Sequence, residues 1–295
     1  MSIRIAVTGK QGQVARALTE AGPSLDAVVI PLGRPELDLE APETIERALG
    51  AAAPDIVVNA AAYTAVDQAE REPAIASAVN GAGAGAVAAV ARTLSIPVIH
   101  LSTDYVFDGS KTSAYVEGDG VAPASAYGAS KLAGEQAVAA ATDEHVILRT
   151  AWVYAPFGKN FVRTMLALAQ SRDEVRVVAD QHGCPTYAPD IAEAIIRIAR
   201  NILRDRSDPR LRGIFHLAGS GETSWAGFAA AIFAFLAKQG LRKPVLTAIT
   251  SAEYPTPARR PANSRLDCGK LARVHGIKLP FWRDSLGLCL ERLTR

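Results

Sequence analysis

Short apolar runs alternate, in the first half of the chain, with longer stretches whose apolar residues recur every three or four positions. The runs lie at residues 3–8, 27–31, 55–59, 97–101 and 145–150. Each is the length of one buried strand, and none alternates polar with apolar as a half-exposed strand would. The stretches between them, running from Gln13 through Leu18, Pro42 to Ala52, about Pro73 to Leu94 and Ser125 to Ala141, carry the helical period. Strand and helix in strict alternation predict a parallel sheet covered by helices on both faces. Beyond Thr150 the rhythm loosens. It predicts helices at 161–170, 190–203 and 223–238, the last capped by Thr223 or Ser224, with strands at 175–179 and 213–218. An apolar helix around Leu286–Leu290 closes the chain.

The expected fold class is α/β. A Rossmann-like, doubly wound parallel sheet occupies residues 1–150, and a smaller C-terminal α/β lobe at 151–295 closes a substrate cleft. The first strand leads into Thr8-Gly9-Lys10-Gln11-Gly12-Gln13-Val14-Ala15. A glycine turn between strand and helix puts a pyrophosphate on the helix N-terminus. Gly9 and Gly12 allow the tight turn, and Ala15 is small enough for the helix to pack on the strand. The spacing is G-x-x-G-x-x-A, unlike the G-x-G-x-x-G of simple dehydrogenases. The second strand ends without the carboxylate that usually takes a ribose 2′-hydroxyl; the first acids are Glu36 and Asp38, with Leu39 beyond. Arg34 suits a 2′-phosphate, which leans the cofactor towards NADPH with NADH also accepted, unless Arg34 is a solvated loop residue.

The third strand opens into Asn59-Ala60-Ala61-Ala62-Tyr63, where small side chains let backbone and cofactor approach at the carboxyl edge of the sheet. The fourth delivers Ser102, Thr103 and Asp104 to the same edge. Tyr127 and Lys131, four apart, share one helix face. A free phenol titrates too high to exchange protons at neutral pH, and a fixed cation nearby would bring it down. A bare Tyr-x-x-x-Lys is short and common, and by itself more often describes a surface pair on an amphipathic helix. Trp152, Tyr154 and Asn160 follow a strand end where a second ligand could stack, and the pair Arg259-Arg260 suits a diphosphate or is a solvated loop.

Composition narrows the class. A net charge of +2 gives no surface for nucleic acid or a polybasic membrane anchor. No run of roughly 18 apolar residues is read in the chain, so no bilayer span is expected, and the first residues enter a strand directly with no secretory pattern. Cys184, Cys268 and Cys289 form neither a disulfide framework nor a metal-ligand spacing, and read as free thiols of a reducing cytoplasm. The histidines are scattered; His100 and His145 read as strand-edge or core residues, and no metal is expected.

Laid out together, these segments resemble the extended short-chain dehydrogenase/reductase superfamily and, within it, the family of dTDP-4-dehydrorhamnose reductases. The motifs are the Gly9–Gln13 turn, Asn59–Asp67, Leu101–Gly109, Tyr127–Lys131, Arg149–Tyr154, Asn160-Phe161, Asp180–Thr186, Ser224-Trp225 and Arg260–Ser264. The resemblance implies NAD(P)H-dependent reduction of the C4 ketone of dTDP-4-dehydro-β-L-rhamnose to dTDP-L-rhamnose in the cytoplasm. Tyr127 would protonate the C4 oxygen, Lys131 would lower the tyrosine pKa and hold the nicotinamide ribose, and Thr103 would orient the carbonyl. Gly9, Lys10, Gln11, Gly12, Gln13, Val14, Arg34, Asp38, Leu39, Ala61, Ala62 and Tyr63 would hold the cofactor with Tyr127 and Lys131. Thr103, Asp104, Trp152, Asn160 and Arg260 would hold the nucleotide sugar. In this superfamily the chain crosses between lobes more than once. Sugar-nucleotide dehydratases carry an Asp-Glu pair after the threonine; Asp104-Tyr105 stands here, which disfavours dehydration. Alternatives are another dTDP-6-deoxy-4-hexulose, or a non-catalytic NADP-binding subunit similar to the regulatory subunit of methionine adenosyltransferase. Relatives are described with a magnesium-bridged dimer using an acidic residue of the first helix. Ala17 stands there, so a homodimer is compatible with the sequence but a metal-bridged one is not expected.

Overall fold

A computed structural model describes residues 2–294. Six parallel strands form the main sheet: β1 (Ile3–Thr8), β2 (Ala27–Leu32), β3 (Ile56–Asn59), β4 (Val98–Thr103), β5 (His145–Thr150) and β6 (Gly213–His216). Their order is β6-β5-β4-β3-β1-β2. The chain builds outward from β1 to β2, then reverses and adds β3 on the other side. Ligands of such sheets bind beyond the carboxyl ends of the strands at that reversal.

Alternation along the strands divides the core. Ile5 and Val7 of β1 face helices α1 (Gln13–Ala21) and α6 (Ala188–Arg204), whose buried Ile191, Ile195 and Ile198 close that side. Ala6 faces the opposite layer with Val57 and Ile147, under α2 (Pro42–Ala52), α3 (Gly83–Thr93) and α4 (Ala126–Ala141). A strand covered on both faces must be apolar throughout, which is why its sequence reads as a run.

The stretch Pro73–Thr93 is long and apolar enough to cross a membrane by composition, with mean hydropathy 1.5. In the fold it forms the helix Pro73–Ser77, a π-turn and α3, with half of its most apolar part buried. Its apolar face belongs to the core beside α4.

The second lobe packs α5 (Phe161–Ser171), α7 (Trp225–Lys238) and α8 (Trp282–Thr294) around Phe228, Ile232 and Trp282. A two-stranded parallel ribbon joins Glu174–Val178 to Val245–Ile249. Residue 150 marks the chain's first exit from the main sheet, but residues 188–216 return to supply α6 and β6. The ribbon strand at 245–249 and the helix Gly269–His275 were not expected from the sequence. Val245 and Ala248 are exposed and the strand has a single partner, so it carries no buried-strand signature.

Candidate active site

The carboxyl ends of β1, β3, β4 and β5 open into a cavity of about 1100 Å³. Its floor is the turn after β1. Gly9 has φ +93°, a conformation that side chains rarely adopt, and a Cβ there would lie 3.4 Å from Ala61. Gly12 caps α1 with no side-chain hydrogen bond, and the first turn of that helix carries no acid. Its unpaired N–H groups and the helix dipole therefore face the cavity without a competing anion.

Every residue expected on the cofactor side lines this cavity: Gly9 to Val14, Arg34, Asp38, Leu39, Ala61, Ala62, Tyr63, Tyr127 and Lys131. Arg34 is already engaged: Nε lies 2.9 Å from Asp38 and Nη2 2.7 Å from Glu40. Lys10 likewise pairs with Glu36. These pairs are exposed and screened by solvent, so they yield readily to a stronger anion.

Thr103 ends β4 and starts a short 3-10 turn. Its hydroxyl accepts from the Tyr105 N–H at 3.2 Å and donates to Asp104 Oδ1 at 3.0 Å. Ser125 caps α4 by accepting from the Gly128 N–H, which starts the helix at the turn holding Tyr127. The Tyr105 ring meets the Tyr127 ring edge-on at 5.5 Å and fixes its plane. Burial and then the Asp104 charge push the phenol up to about 12, while the Thr103 hydroxyl works the other way.

This overturns one expectation. The phenol stands above its ordinary value, not below it, and the Lys131 ammonium group donates to the Leu101 carbonyl at 2.7 Å and lies 3.4 Å from His100 Nε2. At 2 % exposure, Lys131 is itself pushed down to about 8 by burial, with Glu135 opposing. The phenol is therefore fully protonated at neutral pH, which is the state a proton donor needs.

Asp104 is 3 % exposed and burial raises it to about 6, against hydrogen bonds from Ser264 and Thr103. Its Oδ2 is buried without a partner, as is Thr150 Oγ1, and both residues line the cavity. Unpaired buried oxygens ask for donors from a polar ligand. The raised pKa also has a stability consequence. The folded protein disfavours the carboxylate, so the destabilisation is absent below the unfolded value, grows as pH rises through it and is complete above about 6. Asp104→Asn is expected to stabilise the protein on the order of 2 kcal/mol at pH 7.5, with the gain shrinking towards pH 4. Thermal melts at both pH values measure it; an equal or lower melting temperature at pH 7.5 would contradict the assignment.

Trp152 stacks on Trp225 with centroids 3.5 Å apart and planes at 10°. Trp152 has φ +51°, and a Cβ on Gly183 would strike its indole at 2.4 Å, so that glycine makes room for the ring. Both tryptophans line the cavity. Trp225 was not assigned to the site from sequence, although Ser224-Trp225 stood among the motifs; Ser224 caps α7 and sets the ring at the helix start.

Two expected substrate residues stand elsewhere. The Asn160 side chain caps α5 through the Arg163 N–H and donates to Gln13 Oε1 and to the Ala155 and Phe157 carbonyls. Its amide is spent on joining the lobes and it does not line the cavity. Arg260 pairs with Asp67 at 2.9 Å, which also accepts from the Ala258 N–H, clasping the 258–260 loop to the first lobe. It too is absent from the cavity wall. All three cysteines are free. Among the described residues no three potential metal ligands come together.

The family described as RmlD substrate binding domain matches residues 3–295. A dTDP-4-dehydrorhamnose reductase of Sinorhizobium fredii is 55 % identical over 284 residues, covering 96 % of this chain and 95 % of that one. Two solved structures are similar throughout. A dTDP-4-dehydrorhamnose reductase from Clostridium acetobutylicum has a TM-score of 0.90 at 34 % identity, covering 99 % of this chain and 100 % of its own. One from Bacillus anthracis in complex with NADP has a TM-score of 0.88 at 33 % identity, covering 99 % of both chains.

Proposed function

From the premise that this chain belongs to the RmlD substrate binding domain family, with dTDP-4-dehydrorhamnose reductases as its relatives, we propose how its cavity performs that reduction. The protein is an NADPH-dependent oxidoreductase that reduces the C4 ketone of dTDP-4-dehydro-β-L-rhamnose to dTDP-L-rhamnose, the last step of dTDP-rhamnose synthesis. One observation carries the assignment of roles: Thr103, Tyr127 and Lys131 meet the glycine turn in a single cavity that also holds two orphaned oxygens.

The residues fit a dinucleotide. The turn at Gly9 to Gly12 and the open N-terminus of α1 receive the pyrophosphate, and Ala61 and Ala62 let the backbone approach. Arg34, with Asp38 and Glu40 behind it, takes the 2′-phosphate end. When bound, NADPH supplies the hydride for C4.

The chain supplies placement and the proton. Tyr127 gives its phenolic proton to the C4 oxygen as that oxygen becomes the alcohol. The Thr103 hydroxyl holds the same oxygen, turning from Asp104 to do so. Lys131 holds the ribose beside the nicotinamide. The Asp104 carboxylate and the Thr150 hydroxyl receive sugar hydroxyls, and the Trp152–Trp225 wall packs against the sugar nucleotide.

Consumption of NADPH on addition of dTDP-4-dehydrorhamnose tests the reading, and no consumption would overturn it. Replacing Arg34 tests the cofactor end. Arg34→Ala is expected to raise KM for NADPH about five- to tenfold, the effect of losing one charge-assisted contact, and to leave KM for NADH near its original value. Equal changes for both cofactors would remove Arg34 from phosphate recognition.

A further inference from the structure

A buried polar chain runs beneath the cavity from the glycine turn to Lys131, crossing β1, β3 and β4. At its start, the Thr8 hydroxyl oxygen accepts the backbone N–H groups of Ala60 at 3.0 Å and Ala61 at 2.9 Å. With both lone pairs used, its one proton goes to Asn59 Oδ1 at 2.7 Å. That fixes the Asn59 amide, whose Nδ2 donates to His100 Nδ1 at 3.0 Å. Thr8, Asn59 and His100 are 0 to 1 % exposed, so water offers no alternative partner.

The consequence is a single tautomer. A buried histidine stays neutral and has one ring proton. Since Nδ1 is an acceptor, the proton must sit on Nε2, which faces Lys131 Nζ at 3.4 Å. Towards an ammonium group that arrangement sets hydrogen against hydrogen. Towards an amine it is a hydrogen bond, with the lysine lone pair accepting. We propose that His100 is a positioning residue: its locked Nε2 proton destabilises the ammonium form of Lys131 and so sets the pH above which the lysine stops holding the cofactor ribose.

The charged surroundings do not supply this by themselves. From α4, Glu135 favours the ammonium, but its carboxylate is already held by Arg149 of β5 and Ser102 of β4. His145 of β5 bears on His100, and β3 presents only the neutral Asn59. Tyr127 stands one turn back on α4, and Asp104 lies beyond the end of β4. Burial lowers Lys131 in the same direction, and the Nε2 proton facing Nζ at 3.4 Å adds to it.

The proposal rests on the role given to Lys131 above, and two measurements keep the two apart. In the native protein, NMR of the histidine ring nitrogens is expected to show His100 protonated at Nε2; protonation at Nδ1 overturns the proposal without any cofactor present. The second measurement is the Kd of NADPH against pH. In the native protein, Kd at pH 9 is expected to exceed Kd at pH 7 by about tenfold, as a group titrating near 8 requires. In His100→Gln, whose carbonyl accepts from Lys131, the ratio is expected to fall to about twofold, a rise of about one unit in the governing pKa. His100→Asn keeps a partner for Asn59, ends short of Lys131 and should move the ratio the same way. A purely structural role for His100 predicts weaker binding at every pH with the ratio unchanged, and that result overturns the proposal. Failure of NADPH to bind at any pH contradicts the cofactor reading instead, while the tautomer still decides the role of His100.

Discussion

Tyr127→Phe is expected to fold, bind NADPH as the native protein does and lose about 10³-fold in kcat, the middle of the range for removing a positioned general acid. The phenyl ring keeps the edge-on contact with Tyr105, so the packing beside Thr103 survives. What disappears is a phenol facing Thr103, pushed up to about 12 and so holding a transferable proton at neutral pH. The alternatives are poorly placed: the Thr103 proton is directed to Asp104, and the Lys131 group is turned to the Leu101 carbonyl and His100. Steady-state rates with NADPH binding measured alongside make the test. A kcat within tenfold of native, with intact binding, would remove Tyr127 from the proton step.

Glu135→Ala is expected to destabilise the fold by about 3–5 kcal/mol, because it leaves a buried guanidinium without its counter-ion. Glu135 and Arg149 are both 3 % exposed and meet through two bonds, at 2.9 Å and 2.7 Å. Glu135 also accepts from Ser102 at 2.5 Å, so one carboxylate ties α4 to β4 and β5. Ser102 directly precedes Thr103, and Lys131 lies one turn before Glu135; loss of the clamp frees the elements that bring the two together. Arg149 Nη1 already has no partner, and the guanidinium otherwise rests on the Phe107 ring at 5.0 Å. Denaturant unfolding measures the change. A loss below about 1 kcal/mol would show that the site relaxes and admits water.

Much of this site could be read along the chain because its parts are local. Gly9 to Ala15, Asn59 to Tyr63, and Tyr127 with Lys131 each lie within one turn or one strand end, where spacing alone fixes which groups share an edge. The parallel sheet then gathers those edges, since every βα connection emerges on the same side. Groups whose partners come from distant segments were not legible. Asn160 looked like a ligand amide, but a carboxamide that can cap α5 and also reach Gln13 across the lobes is satisfied internally. Arg260, expected as a diphosphate clamp, meets Asp67, far earlier in the sequence, and lies outside the cavity wall.

The partners of Lys131 were not legible for a related reason. Helical spacing places Lys131 on the face of Tyr127, but the buried carbonyl of Leu101 and His100 on the neighbouring strand determine where the ammonium group points. Trp225 reaches the cavity only because the second lobe folds α7 back against Trp152. The return of residues 188–216 to the main sheet is likewise a property of the assembled layers: α6 has the pattern of any amphipathic helix, and only α1 identifies its partner.

The most direct test of the account is NMR of the product formed from dTDP-4-dehydrorhamnose and NADPH deuterated at the transferable position. The account predicts dTDP-L-rhamnose with one deuterium at C4, in proportion to the cofactor consumed. Cofactor consumption with no deuterium at C4, or the product of opposite C4 configuration, would contradict the placement of Tyr127, Thr103 and Lys131 around that carbon.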